Sequence, residues 1–104
     1  MNPTIKAKWL KALRSGDYKQ TTGALYADGG YCCLGVLCDV LGAIPAAAKK
    51  DDFWGNFAIL PANVAKRAGI SENPVPSGYT DSLADLNDSG SSFEDIADII
   101  EQQL

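Results

Sequence analysis

The chain has 104 residues, of which 46% are hydrophobic and 21% are charged, the composition of a single globular domain. It contains no histidine. This excludes an imidazole base beside a cysteine nucleophile and a zinc site of mixed cysteine and histidine ligands. The net charge of −4 is unevenly placed, because the first twenty residues carry five basic groups while the last 33 carry eight acids and neither lysine nor arginine.

The first predicted element is an amphipathic helix near the N-terminus. Asn2 can cap it, Pro3 suits its first turn and Gly16 ends it. Apolar residues recur at helical spacing, namely Ile5, Trp9, Ala12 and Leu13, and basic residues occupy the opposite side. Residues 17–30 are polar and glycine-rich. They are predicted to hold a short strand over residues 24–26 and a tight turn over residues 28–30.

Residues 32–41 form the most apolar stretch and predict a central helix, in which only Asp39 is charged. Its three cysteines, Cys32, Cys33 and Cys38, point in different directions on a helix and cannot converge on one ion. We expect them to pack as small apolar residues in the core. The alternative is a reactive thiol at Cys32 or Cys33, since a helix N-terminus lowers thiol pKa.

The second half predicts a loop with three aromatics over residues 49–57 and a second strand over residues 58–60, paired with residues 24–26. A helix follows from Pro61 through Ala68, ended by Gly69. After a proline-rich loop, Thr80 or Asp81 caps the next helix. A capping box at residues 91–94 opens the last helix, whose apolar stripe is Phe93, Ile96, Ala97, Ile100 and Leu104. The sequence thus predicts one α+β domain over residues 1–104, α-dominant, with about five helices and a minor two-stranded antiparallel sheet.

The sequence predicts no catalytic residue, metal ion or cofactor. Residues 85–90 match the first half of a calcium loop, but Ile96 stands where the bidentate acid is required. Carboxylate pairs, such as Asp51 with Asp52 or Glu94 with Asp98, lie on solvated segments that offer nothing to raise a pKa. We therefore expect a binding protein rather than an enzyme.

One group of residues is a candidate ligand site. Lys19, Gln20, Thr21 and Thr22 offer hydrogen-bond donors, and Trp54 could stack on a base. Arg14 and Tyr79 are outer candidates, with Lys19 and Arg14 placed to meet phosphate. In the alternative interpretation these polar residues satisfy strand edges and Trp54 covers the core.

The uneven charge has two interpretations. Either the basic first helix and the acidic last helix lie side by side and attract, or the acidic residues of the last helix form a face for a basic partner. The residues of that face are Glu94, Asp95, Asp98 and Glu101. The large acidic excess argues against nucleic acid as the partner.

Three blocks of the sequence, residues 8–20, residues 32–39 (CCLGVLCD) and residues 82–97 (SLADLNDSGSSFEDIA), resemble a group of small open reading frames of tailed bacteriophages and prophages. The resemblance covers most of the chain and is weakest over residues 43–56. It implies a phage-borne protein in the cytoplasm of the bacterial host, and the N-terminus lacks the apolar core of a signal peptide. It supplies no catalytic residues.

The resemblance suggests a role against host immunity, and three functions fit. The favoured one is sequestration, in which the protein binds a nucleotide-derived immune signal without cleaving it. The second is occlusion of a basic surface on a host defence protein, as an anti-CRISPR protein does, by the acidic C-terminal helix. The third is a structural or assembly accessory. No stretch is long and apolar enough to suggest a membrane partner, and a homo-oligomer whose site crosses subunits stays open.

Overall fold

A computed structural model describes residues 1–55 and 59–104 of the chain. The described part contains six helices and four short strands. In chain order they are α1 (Pro3–Arg14), β1 (Lys19–Gln20), β2 (Tyr26–Ala27), β3 (Gly30–Tyr31), α2 (Cys33–Val40), α3 (Ala46–Asp51), β4 (Phe53–Trp54), α4 (Ala62–Ala68), α5 (Leu83–Asp88) and α6 (Phe93–Gln103). The α+β class is confirmed, whereas the sheet is larger than predicted.

The sheet has four strands in the order β1-β3-β2-β4. β1 runs parallel to β3, and β2 is antiparallel to both β3 and β4. The turn between β2 and β3 consists of Asp28 and Gly29, whose φ angles of 52° and 75° match a type I′ hairpin. Each strand has only two residues, too few for the alternating pattern that identifies strands in a sequence. The prediction of two strands was wrong for this reason.

The middle of the chain also differs from prediction. The prediction of a loop over residues 49–57 was wrong in its first part, since residues 49–51 belong to α3 and β4 follows at once. Residues 56 and 57 of that predicted loop lie outside the described residues. Because α3 buries only Ala48, its sequence lacks the periodicity of an amphipathic helix. The partner of β2 is β4 rather than residues 58–60. Ile59 and Leu60 are not in a strand, and residue 58 lies outside the described residues.

The helix ends follow the sequence closely, with small shifts. Asn2 caps α1 by accepting a hydrogen bond from the Ile5 N–H at 2.9 Å, as predicted. Ser82 caps α5 in place of Thr80 or Asp81, and Ser92 caps α6 one residue later than the predicted capping box. Both serine hydroxyls accept from the N–H three residues ahead, which is the usual capping geometry.

The centre of the fold is α2, which packs against α1 and α5, while α1 packs against α6. Residues 33–38 are all buried, and the Trp9 Nε1–H of α1 donates to the Cys33 carbonyl at 2.9 Å. Gly35 lies directly on the backbone of Leu25, so that a Cβ at this glycine would stand 1.7 Å from the Leu25 carbonyl oxygen. This close approach holds the polar segment before β2 against the central helix.

Candidate functional site

The polar segment predicted to bind a ligand is bonded to the turn between α5 and α6. The Gln20 Nε2 uses both of its hydrogens within the chain, donating to the Asn87 Oδ1 and to the Ser91 carbonyl, each at 2.8 Å. Thr21 pairs through its backbone, since its carbonyl accepts from the Asn87 Nδ2 at 2.8 Å and its N–H donates to the Tyr31 carbonyl. Gln20 therefore cannot offer its amide hydrogens to a ligand.

Asn87 is the centre of this hydrogen-bond network, and it is buried, with only 1% of its surface exposed. Its Oδ1 also accepts a hydrogen bond, at 3.2 Å, from the N–H of Cys33, which is the first residue of α2. Its Nδ2 also donates to the Asp88 Oδ1, which in turn accepts from the Gly23 N–H at 3.1 Å. One side chain thus joins the segment before β2, the start of α2 and the end of α5. The sequence pattern did not reveal this role, because Asn87 stands among typical turn residues.

The structure does not assemble the predicted ligand site within one chain. Lys19 lies on β1 and Trp54 on β4, which are the two opposite edges of the sheet. Three strand spacings of about 4.8 Å put these edges about 14 Å apart. Lys19 and Thr22 are exposed, and Trp54 is partly buried against the core. Tyr79, 42% exposed, lies on the loop before α5, far along the chain from the other candidates.

Arg14 is paired with the last helix. Its guanidinium donates to the Asp98 carboxylate at 2.8 Å and also to Glu101. These two hydrogen bonds raise the pKa of Arg14, with Glu101 contributing more than Asp98. Lys6 adds a third link from α1 through its Nζ to the Glu101 carbonyl. The expectation that the end helices attract is confirmed, and Arg14 is held by carboxylates instead of standing ready for phosphate.

The three cysteines are core residues, as predicted. Cys32, Cys33 and Cys38 are free thiols with no exposed surface. Burial raises the pKa of Cys32 to about 11 and that of Cys38 to about 12, and it raises the pKa of Cys33 well above its ordinary value. Cys32 does sit at the N-terminus of α2, where its sulfur accepts from the Gly35 N–H. Loss of solvent outweighs that favourable position, so none of the thiols is a nucleophile near neutral pH.

A second polar cluster, which the sequence did not indicate, links α2, α3 and the sheet. The Asp39 carboxylate accepts from the Tyr18 hydroxyl and from the Lys49 Nζ, both at 2.6 Å. Burial alone would raise the pKa of Asp39, but these two hydrogen bonds lower it overall. The Tyr18 ring meets Tyr31 edge-on at 5.0 Å. Each charge in the cluster has a partner, so it joins elements together and offers no free base.

The acidic residues of the C-terminal third fall into two groups. Asp98 and Glu101 are bonded to Arg14, as described above. The other six carboxylates after Arg67 are all on exposed residues, and no salt bridge involves them within the described part of the chain. Four of them stand on α5 and on the first turn of α6, and we call these the acidic corner: Asp85, Asp88, Glu94 and Asp95.

The acidic corner has the geometry of helix caps. Asp85 closes a capping box with Ser82. A calcium loop would need a carboxylate at position 96, but that residue is Ile96, which is fully buried in α6. Across residues 1–55 and 59–104, no group of three or more potential ligands is placed to hold a metal ion, and no pocket is found. None of the helices in these ranges has the length and apolar character needed to cross a membrane.

Comparison with known proteins gives one match. The family described as a domain of unknown function, DUF8296, matches residues 1–104, so the chain belongs to this family. No curated protein matches the chain. No solved structure matches it either.

Proposed function

We propose that this member of the DUF8296 family is a phage accessory protein that counters a bacterial defence system by occluding a basic surface on a host protein, without catalysis. The observation that carries the proposal is the acidic corner. After Arg67 the chain holds eight acids and no base, and only two of the acids are paired with a cation of this chain in the described structure. Unpaired charge of one sign on one side of a protein draws partners of the opposite sign.

The acidic corner is also held in place before any partner arrives. Asp85 and Asp88 are fixed by hydrogen bonds to Ser82, Asn87 and Gly23. Asp95 belongs to the first turn of α6, next to the Ser92 cap. A surface whose backbone is already ordered loses little conformational entropy on binding, which favours affinity.

The phage origin and the host cytoplasm belong to the same proposal. They are supported by the three sequence blocks that resemble open reading frames of tailed bacteriophages and prophages. Small accessory proteins of this kind act on host components inside the infected cell, where a basic surface of a defence nuclease or effector is a suitable target.

Sequestration of a nucleotide-derived signal is the second candidate. It is favoured by the exposed Phe53 ring beside Trp54 on β4 and by the exposed Lys19 and Thr22 near β1. Because these groups lie on opposite edges of the sheet, such a site needs a second copy of the chain to bring them together. The structure favours occlusion, since the acidic corner is complete within one chain.

The test compares two charge-neutralising double variants in a tagged protein expressed in bacteria. Glu94→Gln with Asp95→Asn removes two charges from the acidic corner, and Asp17→Asn with Asp51→Asn removes two exposed charges elsewhere. We expect the unchanged protein and the second variant to capture the same host protein at low salt, and the first variant to lose it. Equal capture by both variants would contradict occlusion.

A parallel incubation examines sequestration. The purified protein is mixed with each bacterial immune nucleotide, filtered and denatured, and the released compound is identified. Recovery of an intact nucleotide would support the second candidate over the first. A converted product would mean that the protein is an enzyme and would overturn both.

A further inference from the structure

Two of the large exposed apolar side chains lie on the loop that leads into α5. Among the described residues four large apolar side chains are substantially exposed, namely Phe53 at 48%, Ile59 at 47%, Val75 at 49% and Tyr79 at 42%. Phe53 is on β4, Ile59 precedes α4, and Val75 and Tyr79 lie on the loop between α4 and α5. The Leu60 N–H donates to the Glu72 carbonyl at 2.9 Å, which joins the segment before α4 to the chain two positions before that loop.

That loop, residues 74–79, is held by backbone hydrogen bonds, and we call it the proline loop. Pro74 and Pro76 are buried, while Val75 and Tyr79 beside them are exposed. The Tyr79 N–H donates to the Pro76 carbonyl at 3.0 Å, and Gly78 has a φ of +83°, as the third residue of a type II turn requires. The Leu83 N–H donates to the Pro74 carbonyl at 2.9 Å and ties the loop to the start of α5. The two exposed side chains are therefore presented on a fixed backbone.

The charged residues closest to the proline loop along the chain are all acids. Glu72 precedes it, Asp81 follows it, and Asp85 lies in the first turn of α5 to which the loop is tied. Phosphate groups of nucleotides, nucleic acids or anionic lipids would be repelled at this position. A protein surface with basic residues around an apolar depression has the matching charge and shape.

We propose that the proline loop is the apolar anchor of the interface, with Tyr79 as its principal contact and Val75 beside it, and that the partner is a basic protein surface containing an apolar pocket. This inference rests on the proposed function and adds to it the kind of surface that is recognised. Tyrosine is enriched among the residues that dominate binding energy, because a large ring with a polar tip is buried at small entropic cost. The acidic residues around it then direct the approach of the partner and contribute less to its retention.

The experiment uses two synthetic peptides and nuclear magnetic resonance titration of the full chain. One peptide is rich in lysine with leucines interspersed, and the other has serine in place of each leucine, so that the charge is the same. We expect the leucine peptide to bind about tenfold more tightly, the effect of burying one good apolar contact. Its binding should shift the amide signals of Val75, Tyr79 and Asp81.

Three variants complete the design, two at Tyr79 and one at Phe53, whose aromatic ring has a similar exposure. Tyr79→Ala should reduce the affinity for the leucine peptide to that for the serine peptide, whereas Tyr79→Phe and Phe53→Ala should leave it unchanged. If both peptides bind equally and Tyr79→Ala has no effect, the proline loop is not an anchor, although a basic partner is still supported. If neither peptide binds at low salt, the proposed function itself is overturned together with this inference.

Discussion

Replacement of Asn87 by alanine should destabilise the fold strongly, because this one buried side chain completes the hydrogen bonding of three segments. The substitution removes the acceptor of the Cys33 N–H and of one Gln20 hydrogen, and the donor to the Thr21 carbonyl. Cys33 is fully buried, so its N–H has no access to water after the change. Gln20 keeps its bond to the Ser91 carbonyl.

The magnitude follows from these losses. A buried polar group left without a partner costs about 1–3 kcal/mol, and the two half-buried groups that can reach water cost less. The sum, with the small cavity, is about 3–5 kcal/mol, compared with about 5–15 kcal/mol for the whole stability of a domain of this size. We expect the melting temperature to fall by about 12 °C or more.

Urea denaturation followed by circular dichroism measures this effect. Asn63→Ala is the matched control, since Asn63 is exposed on α4, and its free energy of unfolding should change by less than about 0.5 kcal/mol. Asn87→Leu restores side-chain volume without hydrogen bonds and should be nearly as unstable as Asn87→Ala. If Asn87→Ala loses less than about 1 kcal/mol, or if Asn87→Leu recovers wild-type stability, the network does not have the role assigned to it.

Three further predictions concern the central helix and its neighbours. Helix propensity alone would make Gly35→Ala more stable by about 0.5–1 kcal/mol. We expect the clash of the added methyl group with the Leu25 carbonyl to cost about 3 kcal/mol or more instead, measured by thermal unfolding. The three thiols, whose pKa values are raised by burial, should resist a thiol reagent in the native protein near neutral pH and react fully in urea; fast native labelling would contradict their place in the core. Asp39, whose pKa is lowered by Lys49 and Tyr18, should stabilise the fold above about pH 4 and lose this effect as acid protonates it. Asp39→Asn should therefore reduce the loss of unfolding free energy on acidification, and an unchanged pH profile would contradict a lowered pKa of Asp39.

Most of the helices could be predicted from the sequence because their signals are local. α1 and α4 have a starting residue, an apolar face and a closing glycine within a few positions of one another, and the structure confirms both. The four strands could not be predicted in number or pairing, since two residues give no periodicity and their partners are up to 28 positions apart, as with Tyr26 and Trp54. The helix α3 was missed because it buries a single alanine.

For the candidate site, too, the residue types could be read from the sequence but their partners within the fold could not. The sequence predicted Gln20 as a ligand-binding residue, with pairing at strand edges as the alternative, and it showed the unbalanced acids after Arg67. It could not show that the partner of Gln20 is Asn87, 67 positions away, or that Arg14 is held by Asp98 and Glu101. The residue type determines which groups a side chain can bind. The fold determines which groups of the chain lie close enough to bind it.

The sequence by itself determined the helical core, the buried thiols and the excess of negative charge, because apolar spacing and composition are local properties that do not depend on tertiary contacts. Only the tertiary structure decided which charges and amides stay available to a partner. Arg14 is paired with carboxylates of α6 and the Gln20 amide is bonded to Asn87 and Ser91, whereas the acidic corner and the side chains of Val75 and Tyr79 are exposed. The physical reason is that hydrogen bonds and ion pairs form over a few ångströms, and distance in space between remote residues is set by packing alone.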